Sequence, residues 1–186
     1  MKSFYHKAYQ SNCFTFLHIS TLEEGSKNIT GLLKGASLLH RQGRSFLLKI
    51  GGDGDLEALR KKINEAGLPF EKVELVPEKP IKGIAALMRQ CHSLLMYSHF
   101  ETQSCTILEA LCSGRPVVSS AVGGIPEILD KSNGILVKPN QPEALARGMA
   151  QMMDSYRGVQ PNGNSQTRSF SLWLSGREPA VKRCIS

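Results

Sequence analysis

Short runs of apolar, β-branched and aromatic residues alternate along this chain with longer stretches whose apolar positions recur every three or four residues. The first run, Phe14–Ser20, predicts a buried strand, and Ser26–Arg41 follows with Ile29, Leu32, Leu33, Ala36 and Leu39 at helical spacing. The alternation continues as a strand over Ser45–Gly51, a helix over Leu56–Ala66 closed by Gly67, and a strand over Lys72–Val76. A helix opened by Pro80 runs to Gln90, proline being favoured at a helix start. Then come a strand over Ser93–Ser98, a helix over Ser104–Ser113 ended by Gly114, and a strand over Pro116–Ser120. A short helix over Ile125–Leu129, a strand over Ile135–Val137 and a helix over Pro142–Tyr156 complete the pattern. Runs such as Ser93–Tyr97 lack period-two alternation, as strands covered on both faces do. The expected fold is therefore α/β, a doubly wound parallel sheet with helices on both faces. Such sheets bind ligands beyond the carboxyl ends of their strands, so chemistry is expected in the strand-to-helix loops.

The 186 residues suit one α/β domain, expected over 13–156, with a polar leader or linker over 1–12 and an irregular basic tail over 157–186. The tail holds Gly158, Pro161, Gly163, Gly176 and Pro179 with little periodicity, although Phe170, Leu172, Trp173 and Leu174 are docking candidates. The formal net charge of +7 suggests nucleic-acid binding until it is mapped. From Arg157 onward five basic residues against Glu178 supply +4, and the remaining +3 is spread over the body without a basic cluster interleaved with aromatics. No nucleic acid is expected; the balance suits a phosphate-bearing ligand or an anionic membrane surface. Lys2 and Lys7 precede no apolar run, and no apolar stretch approaches membrane-spanning length, so a cytoplasmic location is expected. Cys13, Cys91, Cys105, Cys112 and Cys184 lack metal-ligand spacing and read as reduced thiols.

Candidate chemistry concentrates in Ser98–Pro126. A strand ends, His99 to Gln103 form a loop, and a helix begins near Ser104. The N–H groups of Gln103, Ser104 and Cys105 would lie at the helix N-terminus, where unpaired donors and the helix dipole favour an anion. Glu101 and Glu109 flank that site and cannot hold phosphates, but carboxylates accept hydrogen bonds from sugar and ribose hydroxyls. The plainer alternative is a capped helix with two solvated glutamates. Gly52-Asp53-Gly54 is a broken dinucleotide fingerprint, because the third glycine would fall at Glu57. Asp53 and Asp55 suit a helix start, His18 a hydrogen-bonded core position, and His99 a position beside the Glu101 loop.

The run from Phe100 to Leu129, FETQSCTILEALCSGRPVVSSAVGGIPEIL, resembles the signature of the group-one retaining glycosyltransferases, two-domain enzymes of the GT-B fold. The two glutamates with seven residues between them, the Ala110-Leu111 that follows, Gly114–Val118 and Gly123–Glu127 match that signature in order. Leu48–Leu59 resembles the family's second strand and glycine turn, and Lys27-Asn28 its lysine at the first strand–helix junction. The resemblance covers about Phe14 to Tyr156. It departs at Thr21, where arginine is common, and at Thr102 and Gln103, where glycine and an aromatic are usual.

The resemblance implies the donor-binding, C-terminal half of such an enzyme. Its ligand would be a nucleotide diphosphate sugar, whose sugar passes to an acceptor hydroxyl with retention, with no obligatory metal or cofactor. It implies that Glu109 binds ribose, Glu101 contacts donor-sugar hydroxyls as the catalytic position, the backbone over Thr102, Gln103, Ser104 and Cys105 meets the pyrophosphate, and Lys27 neutralises phosphate charge. It also implies a role in cell-envelope polysaccharide biosynthesis, with peripheral association at the inner membrane face. About twelve residues precede the first strand, so the acceptor-binding N-terminal domain is expected to be missing and the chain incomplete as an enzyme. The alternatives are a nucleotide-sugar-binding or interaction module without catalysis and, less favoured, a non-hydrolysing sugar epimerase of the same architecture. A receiver domain is excluded, because the first strand ends at Ser20-Thr21 without an acidic pair.

Overall fold

The computed structural model describes residues 13–157. They form a six-stranded, wholly parallel sheet: β1 (Phe14–Ser20), β2 (Phe46–Gly52), β3 (Val73–Val76), β4 (Ser93–Met96), β5 (Val117–Ser120) and β6 (Gly134–Val137), in the order β3-β2-β1-β4-β5-β6. The connecting helices are α1 (Glu24–Lys27), α2 (Ile29–Arg41), α3 (Leu56–Glu65), α4 (Ile81–Arg89), α5 (Cys105–Cys112) and α6 (Ile125–Ile128), and α7 (Pro142–Arg157) follows β6. Parallel strands need crossovers, and successive helices coat both faces. One face carries a core of Phe16, Leu32, Leu33, Leu48, Ile63, Leu145 and Met149 under α2, α3 and α7. The other carries Leu17, Met88, Leu94, Ile107, Ala110 and Ile125 under α4, α5 and α6. The continuously buried pattern of β4 and β5 follows from this double coating. The doubly wound expectation holds.

One expected element is divided. The helix expected over Ser26–Arg41 is broken at Asn28, which lies in the left-handed region at φ 48, ψ 51 and closes α1. Asparagine tolerates that conformation better than most residues, and its side chain accepts the Gly31 N–H at 3.0 Å, capping α2 as it breaks α1. Gly31 is required there, since a Cβ would fall 2.4 Å from the Asn28 Oδ1. The break leaves Lys27 at the last position of a short separate helix rather than inside a long one.

The strand order reverses direction between β1 and β4, which pair through Phe16↔Ser93 and Leu17↔Leu94. A parallel sheet opens a crevice at the carboxyl ends of the strands where its winding reverses. The leader 1–12 and the tail beyond Arg157 lie outside the described residues.

Candidate functional site

The loops leaving β1 and β4 face each other across the crevice. Lys27 and Glu101, 74 positions apart, meet there, with the Lys27 ammonium donating to the Glu101 carboxylate at 2.7 Å. Both side chains are largely covered, at 18% and 11% exposure. Screening by solvent is therefore weaker than for a surface pair. Ser98 Oγ also donates to Glu101 at 3.5 Å.

The Glu101 loop is held on two sides by backbone contacts. Toward α1, the His99 and Phe100 N–H groups donate to the Ser26 carbonyl at 2.8 and 3.4 Å. Toward β5, the Gly124 N–H donates to the carbonyls of Glu101 and Thr102 at 3.3 and 3.2 Å, and Ser120 Oγ to the Ser98 carbonyl at 2.8 Å. Gly123 sits at φ 51, and a Cβ on it would lie 1.6 Å from the Glu101 carbonyl oxygen. The Gly123-Gly124 turn thus positions the loop bearing Glu101.

Beyond that loop, Ser104 caps α5 by accepting the Ile107 N–H at 3.4 Å. The N–H groups of Cys105 and Thr106 then lack intrahelical acceptors and carry the positive end of the helix dipole. Thr102, Gln103 and Cys105 are exposed around this terminus and Ser104 is buried beneath it. Glu109 is exposed further along α5. The structure therefore joins Lys27 to Glu101 and places both at the edge of the loop that runs into α5.

Sequence reasoning missed a cavity of about 180 Å³ on the other side of β1, lined by Ile19, Ser20, Thr21, Gly52, Asp53, Pro77, Glu78, Lys79 and Ile84. The only sequence signal was the Gly51-Gly52-Asp53-Gly54 run. A Cβ on Gly52, at φ 136, would meet the Ser20 carbonyl oxygen at 1.7 Å, so the ends of β1 and β2 touch only because no side chain intervenes. Asp55, read as a dipole partner, caps α3 by accepting the Glu57 and Ala58 N–H groups at 2.8 and 3.2 Å.

His18 is fully buried, with Nδ1 2.9 Å from the Leu95 carbonyl and Nε2 2.8 Å from Ser20 Oγ. Burial, aided by the positive charge of Lys27, pushes its pKa down to about 4 although the Leu95 hydrogen bond opposes the shift. It is the hydrogen-bonded core histidine that its strand position suggested. His99 is exposed beside Glu101.

Among the described residues no helix is long and apolar enough to cross a membrane. Residues 13–155 match the family model described as "Glycosyl transferases group 1". A Methanocaldococcus jannaschii protein named "Uncharacterized glycosyltransferase MJ1178" is 29% identical over 132 residues, covering 68% of this chain and 37% of its own length. The O-antigen chain mannosyltransferase B of Escherichia coli is 29% identical over 160 residues, covering 83% and 42%. Among solved structures, Anabaena Alr3699/HepE in complex with UDP and glucose superposes with a TM-score of 0.68 at 23% identity, covering 78% of this chain and 40% of that one. The chain thus spans about two fifths of the length of these relatives. The match over most of the described residues, on a doubly wound sheet of the GT-B kind, makes this chain a member of the group 1 glycosyltransferase family.

Proposed function

We propose that this chain is the donor-binding half of a retaining glycosyltransferase, which moves a sugar from a nucleotide diphosphate sugar to an acceptor hydroxyl. The observation that carries the reading is the Lys27–Glu101 pair at the point where the sheet reverses, beside the open N-terminus of α5. A cation, unpaired amides and a carboxylate in one crevice suit a ligand with a phosphate part and a hydroxyl-rich part. In the reading, the diphosphate lies against the Cys105 and Thr106 amides and draws Lys27 toward it, so that Glu101 accepts from the sugar hydroxyls. Lys27 and the helix terminus then stabilise charge developing on the leaving diphosphate. Glu109 accepts from the ribose hydroxyls, and the apolar-walled cavity under Ile19, Pro77 and Ile84 takes the base. The UDP and glucose of the HepE complex support a nucleotide-sugar donor. The O-antigen relative supports a role in cell-envelope polysaccharide synthesis.

The acceptor is positioned in this reading by a second, N-terminal domain, as the length of the relatives supports. Fixing two reactants supplies about 7–11 kcal/mol of barrier reduction. The chain alone should therefore bind donor and release free diphosphate far more slowly than about 1 s⁻¹, the lower end of ordinary enzyme rates. A separately expressed N-terminal domain should restore turnover.

Calorimetric titration with a panel of nucleotide diphosphate sugars tests the reading. Glu109→Ala should weaken the best ligand about ten- to a hundred-fold, as losing charged hydrogen bonds worth about 1.5–3 kcal/mol requires. A folded variant with unchanged affinity would sink the ribose assignment. A second reading, a binding module without catalysis, is favoured by exposed Thr21 where the family commonly has arginine. It predicts donor binding with no diphosphate release even when the N-terminal domain is supplied.

A further inference from the structure

Leu22 is a branched, non-glycine residue in the left-handed region, at φ 57, in the turn between β1 and α1. Such a residue is costly there, and one persists where its surroundings dictate the conformation, commonly at functional sites. Two constraints surround it. Its N–H donates to Ser20 Oγ at 3.1 Å. Its side chain is close to Gly54, on which a Cβ would meet the Leu22 Cβ at 2.8 Å and the Thr21 carbonyl at 3.1 Å. The turn is thus wedged between the end of its own strand and the loop leaving β2.

The Ser20 hydroxyl is in turn oriented from below. The Leu95 carbonyl can only accept, so His18 Nδ1 carries the proton. With the ring neutral, as full burial favours, Nε2 is an acceptor and Ser20 Oγ–H donates to it. The serine lone pairs are then left for the Leu22 N–H. One directed chain results: Leu22 N–H to Ser20 Oγ–H to His18 Nε2, and His18 Nδ1–H to the Leu95 carbonyl on β4. It bridges β1 and β4, the two strands between which the sheet reverses. Its upper end is Leu22, five positions before Lys27, and the adjoining Ser20 and Thr21 line the 180 Å³ cavity.

We propose that His18 and Ser20 are positioning residues for donor binding, holding the Thr21–Leu22 turn in its strained conformation so that the cavity wall and the segment leading to Lys27 are in place before the nucleotide arrives. The inference rests on the donor-binding reading. Ser20 borders the cavity, but its hydroxyl is taken up by His18 and the Leu22 N–H and His18 is fully buried, so both act through the turn.

Three measurements on the 186-residue chain test it. In the free wild type, ¹⁵N NMR of the imidazole should show the Nδ1–H tautomer with Nε2 as hydrogen-bond acceptor; an Nε2–H tautomer would overturn the relay. Binding of UDP, GDP or ADP, whichever the wild type takes, should slow amide exchange at Thr21 and Leu22; unaltered exchange at both would overturn the role of the turn. Ser20→Ala should speed Leu22 amide exchange and weaken that nucleotide about ten-fold, with its circular dichroism unchanged. Ser20→Ala affinity equal to wild type would leave the relay a feature of the strand alone and overturn the proposal. If the wild type binds none of the three diphosphates nor their sugars, the donor-binding reading itself fails, an outcome distinct from each of these.

Discussion

Glycines at the two edges of this sheet do different work. Gly114, between α5 and β5 at the amino edge, sits at φ 68 with nothing within 4 Å of where a Cβ would be. Its task is conformational, ending a helix in the left-handed region. Gly123, between β5 and α6 at the carboxyl edge, has a similar φ of 51, but a Cβ would stand 1.6 Å from the Glu101 carbonyl. Its task is to be small, so that two loops touch backbone to backbone. The side chains differ in the same sense. At the amino edge Phe14, His92 and Tyr156 pack ring on ring at 4.8–5.4 Å, and Arg44 clasps Asp154 with two hydrogen bonds. At the carboxyl edge stand a strained leucine, a cavity and a cross-loop ion pair. One edge closes the fold and the other holds donors and charges in place without filling the space between them.

The strongest way to break this contrast is Gly123→Ala. The added methyl group has no room, so the Glu101–Thr102 segment must shift, and nucleotide-sugar binding should fall at least a hundred-fold, about 2.7 kcal/mol or more. Calorimetry on a variant whose circular dichroism is unchanged is the measurement. Retained affinity would show that the loop is not held by this turn.

Titration sharpens the electrostatic side. His18 has a pKa of about 4 in the fold against 6.5 in the unfolded chain, so below 6.5 the unfolded chain takes up protons that the fold refuses. Stability should therefore fall as pH drops from about 6.5 to 4, by roughly 3 kcal/mol at about 1.4 kcal/mol per unit. At the amino edge, burial pushes the Cys91 thiol from 9.0 up to about 12, which opposes ionisation and lowers stability only as pH rises above 9. Urea unfolding across pH should show both slopes, the acid one lost in His18→Gln and the alkaline one in Cys91→Ala.

A smaller effect separates the charges. Lys27→Ala should weaken diphosphate binding about ten-fold, about 1.4 kcal/mol, and leave affinity for the free nucleoside unchanged, because the lysine charge matters only to phosphate. Equal losses for both ligands would reduce Lys27 to a partner of Glu101. The smallest expected change is Gly114→Ala. It should cost about 1 kcal/mol of stability through its positive φ and leave nucleotide affinity at the wild-type value. A parallel loss of binding would mean that the two edges are coupled through α5.

The order and type of the elements were legible in the residue pattern, because burial periodicity and capping are local. Phe14–Ser20, the Ser104 cap and the helix stop at Gly114 were all legible that way. The sequence also pointed to the stretch that carries Glu101 and Glu109, through the resemblance of Phe100–Leu129. Tertiary structure decided the rest. That Lys27 meets Glu101, 74 positions away, depends on β1 lying beside β4, a pairing that no local pattern encodes. The break at Asn28 reflects a left-handed residue and a cap to Gly31, where apolar spacing alone read one continuous helix. The cavity and the Leu22 turn arise where three strand ends converge, since contacts such as Ser20 on Gly52 form only once the chain has folded back on itself.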